Sequence, residues 1–300
     1  MFSMASFVRL VVVCAFIMLG RDVAAQPASV APTDSTAIHE IRLTDGSVLY
    51  GRIVQQDSVR LVVRTINGAS VELRRELVKQ LRLTAGRIVG NEFWVEDPNH
   101  TRLLFTSTGR ALRQGEGYLS AYFLFVPMLA YGVTDRVTIA GGTPILPGAM
   151  GKAFYIAPKV LVHETPRSAY SIGALSFALT EAIDDGTVGI AYGVGTWGSR
   201  DRAVTAGAGW GYVWGGDESA VSNSPVIALG FENRLSRRSK FITENWLFTG
   251  DGGASAAVSG AFRFIGDRLT ADLGAIGLVG GEDGACCVPM VNFVWNFGRR

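Results

Sequence analysis

Residues 291–297 read VNFVWNF, and the parity of this stretch decides the fold. In an extended strand successive side chains point to opposite faces. Val291, Phe293, Trp295 and Phe297 therefore share one face, with Asn292 and Asn296 on the other. The same dyad recurs upstream. Leu269, Ala271 and Leu273 oppose Thr270 and Asp272, while Val258, Gly260, Phe262 and Phe264 oppose Ser259 and Arg263. Val188, Ile190, Tyr192 and Val194 oppose Gly189, Ala191, Gly193 and Gly195. One greasy face per segment of about ten residues is the pattern of strands that cross a bilayer in a closed barrel. On this reading the greasy face meets lipid and the small or polar face meets the lumen. A charge at Phe293 is then expected to cost about 2–4 kcal/mol, and a charge at Asn292 far less.

Working outward, the segments 118–125, 128–133, 137–145, 154–163, 169–179 and 188–198 qualify as strands, followed by 203–213, 226–235, 241–248, 257–264, 269–278 and 290–297. That makes about twelve, with ten as the alternative. Segment 169–179 is apolar on both faces. Turn signals separate the strands, among them Thr134-Asp135, Ser199-Arg200-Asp201, Gly215-Gly216-Asp217 and Gly266-Asp267. Charges inside the strands are few, among them Lys159, Glu232, Glu244, Arg263 and Asp272. A soluble β-sandwich is the competing architecture, but its outer faces would be polar, not Gly, Ala and Asn. Hydrocarbon also demands that every backbone group be paired, which a closed barrel achieves and an open sheet does not. The fold class expected is all-β, a closed antiparallel transmembrane barrel over residues 117–300.

Composition agrees. The chain of 300 residues is 48% hydrophobic and 18% charged, with a net charge of +2 and 37 glycines. That is too apolar for a disordered chain, and the glycines lack the three-residue period of collagen. Past residue 20 the longest apolar stretch, 121–133, is broken by Pro127, which is short of the roughly 20 residues of a spanning helix.

The N-terminus carries an address. Arg9, the apolar run 10–19 and Val23-Ala24-Ala25 make a secretory signal peptide over residues 1–25. Cys14 lies inside that run. Residues 26–38 are a flexible Pro/Ser/Thr lead-in. A small β domain follows over 39–87, with five short strands and the turn signals Asp45-Gly46 and Asn67-Gly68. Residues 36–87 hold nine Lys+Arg against five Asp+Glu, whereas 117–300 hold 14 against 15 and 29 glycines in 184. This shift places a linker at 88–116. Within it the stretch 98–117 reads as a linker in preference to a plug entering the barrel.

The pattern Leu43-Thr44-Asp45-Gly46-Ser47, Gly51, Asp57 and Asn67-Gly68 resembles the Sm-like/SH3-like small barrels. Sm-like proteins bind RNA. Export removes this domain from RNA, however, and its arginines alternate with apolar residues as on solvated strands. No nucleic-acid partner is expected, and contact with a periplasmic protein is. The region 117–300 resembles bacterial outer-membrane β-barrel proteins, whose last strand alternates and ends in an aromatic, here Phe297. The departure is Gly298-Arg299-Arg300 beyond it. The resemblance implies a place in the outer membrane of a diderm bacterium, outer-membrane lipid as surroundings, and recognition by a barrel-assembly machinery.

Chemistry is sparse. The histidines are His39, His100 and His163. Some outer-membrane barrels are lipid hydrolases, and His163, with Lys159 and Tyr155 on its face and Ser171 and Ser176 on the next strand, is the candidate for that alternative function, a lipid-modifying hydrolase. No nucleophile motif or orienting third group accompanies it. Glu181, Asp184 and Asp185 lack the order of a calcium loop. The adjacent Cys286 and Cys287 read as an exposed loop pair without further metal ligands. No catalytic, cofactor or metal residue is assigned. The function expected is a structural or passive pore role of unassigned substrate, porin-like, and not an enzyme.

Overall fold

The computed structural model describes residues 37–145, 153–179, 186–215, 218–250, 253–280 and 287–298. The signal peptide with its cleavage after Ala25, nearly all of the lead-in, Glu181, Asp184, Asp185 and Cys286 lie outside the described residues. Residues from Ile38 onward belong to one unit.

Its first part is a five-stranded antiparallel sheet. The strands are β1 (His39–Leu43), β2 (Val48–Gln56), β3 (Arg60–Thr65), β4 (Ser70–Arg74) and β5 (Val78–Leu83), in the order β4-β3-β2-β1-β5. The two Gly-bearing turns sit where the sequence puts them. Gly46 and Gly68 take φ of +88° and +85°, conformations open to glycine at no steric cost. Alternate residues Ile41, Ile53, Leu61, Val63 and Leu73 form the buried core of this sheet. A hairpin of β6 (Gly86–Val89) and β7 (Glu92–Val95) follows.

The large part is a meander. Its strands are β8 (Gly117–Tyr122), β9 (Val126–Gly132), β10 (Val137–Gly142), β11 (Ala153–Thr165), β12 (Ser168–Leu179), β13 (Thr187–Gly198) and β14 (Arg202–Gly215). After a short β15 (Glu218–Val221) come β16 (Val226–Arg234), β17 (Ser239–Gly250), β18 (Gly253–Ile265), β19 (Leu269–Val279) and β20 (Val288–Phe297). Each pairs with its neighbour, β14 pairs with β16 past the β15 flap, and β20 pairs with β8. Twelve strands thus close a barrel with no free edge, and the short β15 extends only the end of β14. No helix among the described residues is long and apolar enough to cross a membrane.

The outer surface is greasy. Leu129, Ile156, Ile172, Leu229, Phe262 and Trp295 are among the large apolar side chains left exposed around the barrel. In contrast Lys159, Glu232, Lys240, Glu244, Arg263 and Asp272 are all buried on the inside. Short turns at 133–136, 166–167, 199–201, 235–238 and 266–268 share one end with the start of β8 and the end of β20. The ends of β10, β12 and β19 and the starts of β11, β13 and β20 lie at the other.

One facing is opposite to the expectation. Val291, Phe293, Trp295 and Phe297 do point outward, with Asn292 and Asn296 buried inside. In β13, however, Ile190, Tyr192 and Val194 line the interior, and Gly193 and Gly195 face out. Packing explains the reversal. Outside, the rings of Trp197 and Tyr170 cover Gly195. Inside, Tyr192 lies across Gly173, and Ile190 fills the space beside Gly209. Parity groups residues into faces, but only the neighbouring strands decide which face looks in.

Candidate functional site

The candidate site is the lumen, and its occupant is the segment 97–114. Expected as linker, it enters the barrel instead: Asp97, Asn99, Leu103, Leu104 and Thr108 are each at most 1% exposed. It turns back on itself through hydrogen bonds from Leu103 N to Thr106 O (2.9 Å) and from Thr108 N to Thr101 O (2.9 Å). The turned-in tip cannot satisfy its own amides, and the wall does so. Glu244 on β17 accepts the N–H groups of Leu104 (2.8 Å), Phe105 (2.9 Å) and Thr106 (3.0 Å), the Thr106 hydroxyl (2.7 Å) and the Trp246 indole N–H (2.8 Å). Lys159 on β11 donates to the carbonyls of Arg110 (2.6 Å) and Thr108 (3.1 Å). Gly109 packs against the Ala169 carbonyl so closely that a Cβ there would lie 2.1 Å from it. Gly230 similarly makes room for Leu103.

A chain of buried charges, alternating in sign, stitches segment to wall. Arg102 meets Asp272 at 2.9 Å, and Asp272 pairs with Arg263 at 2.7 Å. Arg263 lies 3.5 Å from Asp97, which meets Lys240 at 2.7 Å. Lys240 meets Glu232 at 2.8 Å, and Glu232 meets Arg110 at 2.7 Å. The inner segment supplies Asp97, Arg102 and Arg110; β16 to β19 supply the rest. Buried charges are tolerated where each finds a partner and hydrogen bonds. Here the partners come from two parts of the chain, so the ion pairs also fix the segment's place.

Beyond the tip, on the side away from the short turns, the lumen opens into a cavity of about 160 Å³. Leu175, Ile190, Tyr192, Val194, Val226 and Trp246 make its walls, and Thr101, Arg102 and Lys159 contribute polar groups.

The sequence-named candidates disperse. His163 does not share a face with Lys159 and Tyr155, because a register shift between Leu161 and His163 turns it outward beside Tyr170, with ring centroids 6.2 Å apart. Ser171 faces inward and donates to the Gly109 carbonyl (2.8 Å), while Ser176 meets the Tyr212 hydroxyl. The Ser–His arrangement of a lipid hydrolase is therefore not assembled among the described residues. His100 is buried in the inner segment, its Nδ1 3.2 Å from the Asp97 carbonyl, and His39 opens β1. No cluster of three metal-ligating side chains occurs among the described residues. Cys287 is disulfide-bonded, which departs from the reading of a plain loop pair. The residues that organise the lumen were half visible: the sequence singles out Lys159, Glu232, Glu244, Arg263 and Asp272 as charges in lipid-length strands. It passes over Lys240 and does not supply their partners.

No protein-family model matches the chain, and no curated protein does. Among solved structures it is similar to the crystal structure of Pseudomonas aeruginosa OccK11 (OpdR), at a TM-score of 0.34 and 9% identity, covering 88% of this chain and 95% of that one. That likeness is too distant to carry an argument about function.

Proposed function

We propose that this chain is an outer-membrane β-barrel whose lumen is stoppered by residues 97–114, so that passage of solute requires the inner segment to move. The exposed apolar belt, buried strand charges and closed hydrogen-bond ring support the membrane location. The short turns, the start of β8 and the end of β20 then face the periplasm, as is usual for such barrels, and the five-stranded sheet sits on that side for contact with an envelope protein. Export by the signal peptide and assembly by the barrel machinery, with Phe297 in the closing strand, belong to the same reading. The observation that carries the stopper is the alternating ion chain from Arg102 to Arg110. Twelve strands enclose more room than the eight whose side chains fill the interior, so the segment occupies space that would otherwise conduct.

Planar-bilayer recording tests this. The full chain should show no steady conductance, and a chain lacking residues 99–111 should form a persistent pore while keeping its heat-modifiable gel shift. Steady conductance from the intact chain would overturn the stopper.

A further inference from the structure

Past the inner segment the lumen changes character. The interior of a transmembrane barrel is ordinarily polar. Here β12 presents Leu175 and Phe177 inward, β13 presents Val188, Ile190 and Val194, and β14 presents only glycines and Val213. Leu175 and Ile190 line the 160 Å³ cavity at the tip of the segment. Phe177, Val188 and Val213 line a wider opening of about 540 Å³ toward the end away from the short turns, and Ile190 belongs to both. An apolar wall therefore leads from the mouth to the cavity. The polar groups at the cavity floor are already committed. Lys159 Nζ donates to the Thr108 and Arg110 carbonyls, the Thr106 hydroxyl donates to Glu244, and the Tyr192 hydroxyl hydrogen-bonds Ser107. Arg102 Nε and Nη2 and the Thr101 hydroxyl are enclosed by protein and present no edge to the opening.

We propose that the cavity binds a small uncharged apolar molecule, a single aromatic ring or a hydrocarbon of similar size, which enters from the mouth and rests on the tip of the inner segment. The volume sets the size, since an apolar cavity of about 150 Å³ accommodates benzene. The walls set the chemical class. Ligand pockets are mostly hydrophobic and aromatic, with a few placed polar groups that orient the ligand. Here those polar groups are spent on the segment itself, so the gain on offer is the removal of hydrocarbon from water. A charged head would lose its hydration there and meet no free partner. The site rests on the inner segment lying where it closes the lumen, and it assigns that lumen a class of solute.

The test uses the full-length barrel folded in nonionic micelles with labelled isoleucine methyl groups, titrated with toluene and with benzoate and followed by NMR. Ile190 lines the cavity, whereas Ile172 is 58% exposed on the lipid face and reports toluene dissolved in the micelle. Toluene should shift the Ile190 methyl resonance saturably and that of Ile172 only in proportion to its concentration. Benzoate should bind at least tenfold more weakly. Ala228→Leu fills the cavity wall without touching a charge and should abolish the saturable shift while the heat-modifiable gel shift persists. Should that variant not fold, the two probes on the unaltered chain still decide. An Ile190 shift that merely tracks Ile172, benzoate binding as tight as toluene, or a saturable shift undiminished in folded Ala228→Leu overturns the site. Steady conductance from the intact chain would overturn the seal and not the site, because the titration reads the cavity without any gradient.

Discussion

Glu244 shows at the scale of one residue what holds the lumen together. Its carboxylate is the acceptor for three consecutive amides that have no strand or helix partner. Glu244→Ala should leave those donors buried and unpaired, at about 1–3 kcal/mol each, whereas Glu244→Gln keeps one acceptor oxygen and should fall between. Urea titration of the gel-shifted form checks the order. Phe293 is 40% exposed on the outer face, and Phe293→Arg should cost about 2–4 kcal/mol near mid-membrane, with Phe293→Leu far less. The expectation that Asn292 tolerates a charge does not survive the structure. Asn292 is fully buried and accepts the Phe123 amide at 3.1 Å, so the lumen has no room for arginine there. Parity alone makes it lumenal, but burial among neighbouring strands, which parity does not report, closes the space around it.

At the scale of elements, β13 and β16 present glycines with opposite prospects. A side chain at Gly193 would project outward into open space, so Gly193→Val should change stability by no more than about 0.5 kcal/mol. At Gly230 a Cβ would lie 2.1 Å from Leu103, and Gly230→Val should cost about 1–3 kcal/mol by pushing the inner segment off its seat. Denaturant midpoints of the two variants separate these outcomes. The β2–β3 turn makes a pH prediction. Asp57 accepts the amides of Arg60 (2.8 Å) and Val59 (2.9 Å), and these bonds hold its carboxyl below the usual value of 3.8. A depressed carboxylate contributes stability above its unfolded pKa, about 3.9, and loses it as pH falls through the lower folded value. Protection of the Val59 and Arg60 amides against hydrogen exchange should therefore weaken only below that range. Unchanged protection through full protonation of Asp57 would refute the assignment.

For the whole molecule, the five-stranded sheet meets the barrel through the exposed ion pair Arg42–Asp267 at 2.5 Å, and the β6–β7 hairpin meets it through Arg87–Asp201 at 2.6 Å. Exposed pairs contribute about 0–1 kcal/mol and are screened by salt. Deleting residues 38–85 should accordingly leave the gel shift and its urea midpoint almost unchanged, while deleting 99–111 should lower the midpoint. A fall of equal size in both would show that the sheet is part of the barrel's stability. The sequence by itself determined the strands. The barrel segments are legible in their length, alternation and turns, save that 169–179 is apolar on both faces, and the five small ones in Asp45-Gly46 and Asn67-Gly68, because these signals act over a few residues. It also separated out charges that could not face lipid. Tertiary structure decided where those charges go, which face of β13 looks inward, and that 97–114 lies inside the barrel and does not merely join its two parts. The physical reason is that burial and ion pairing join residues more than a hundred positions apart, such as Arg110 and Glu232. No periodicity along the chain encodes which amide will meet which carboxylate once the barrel has closed.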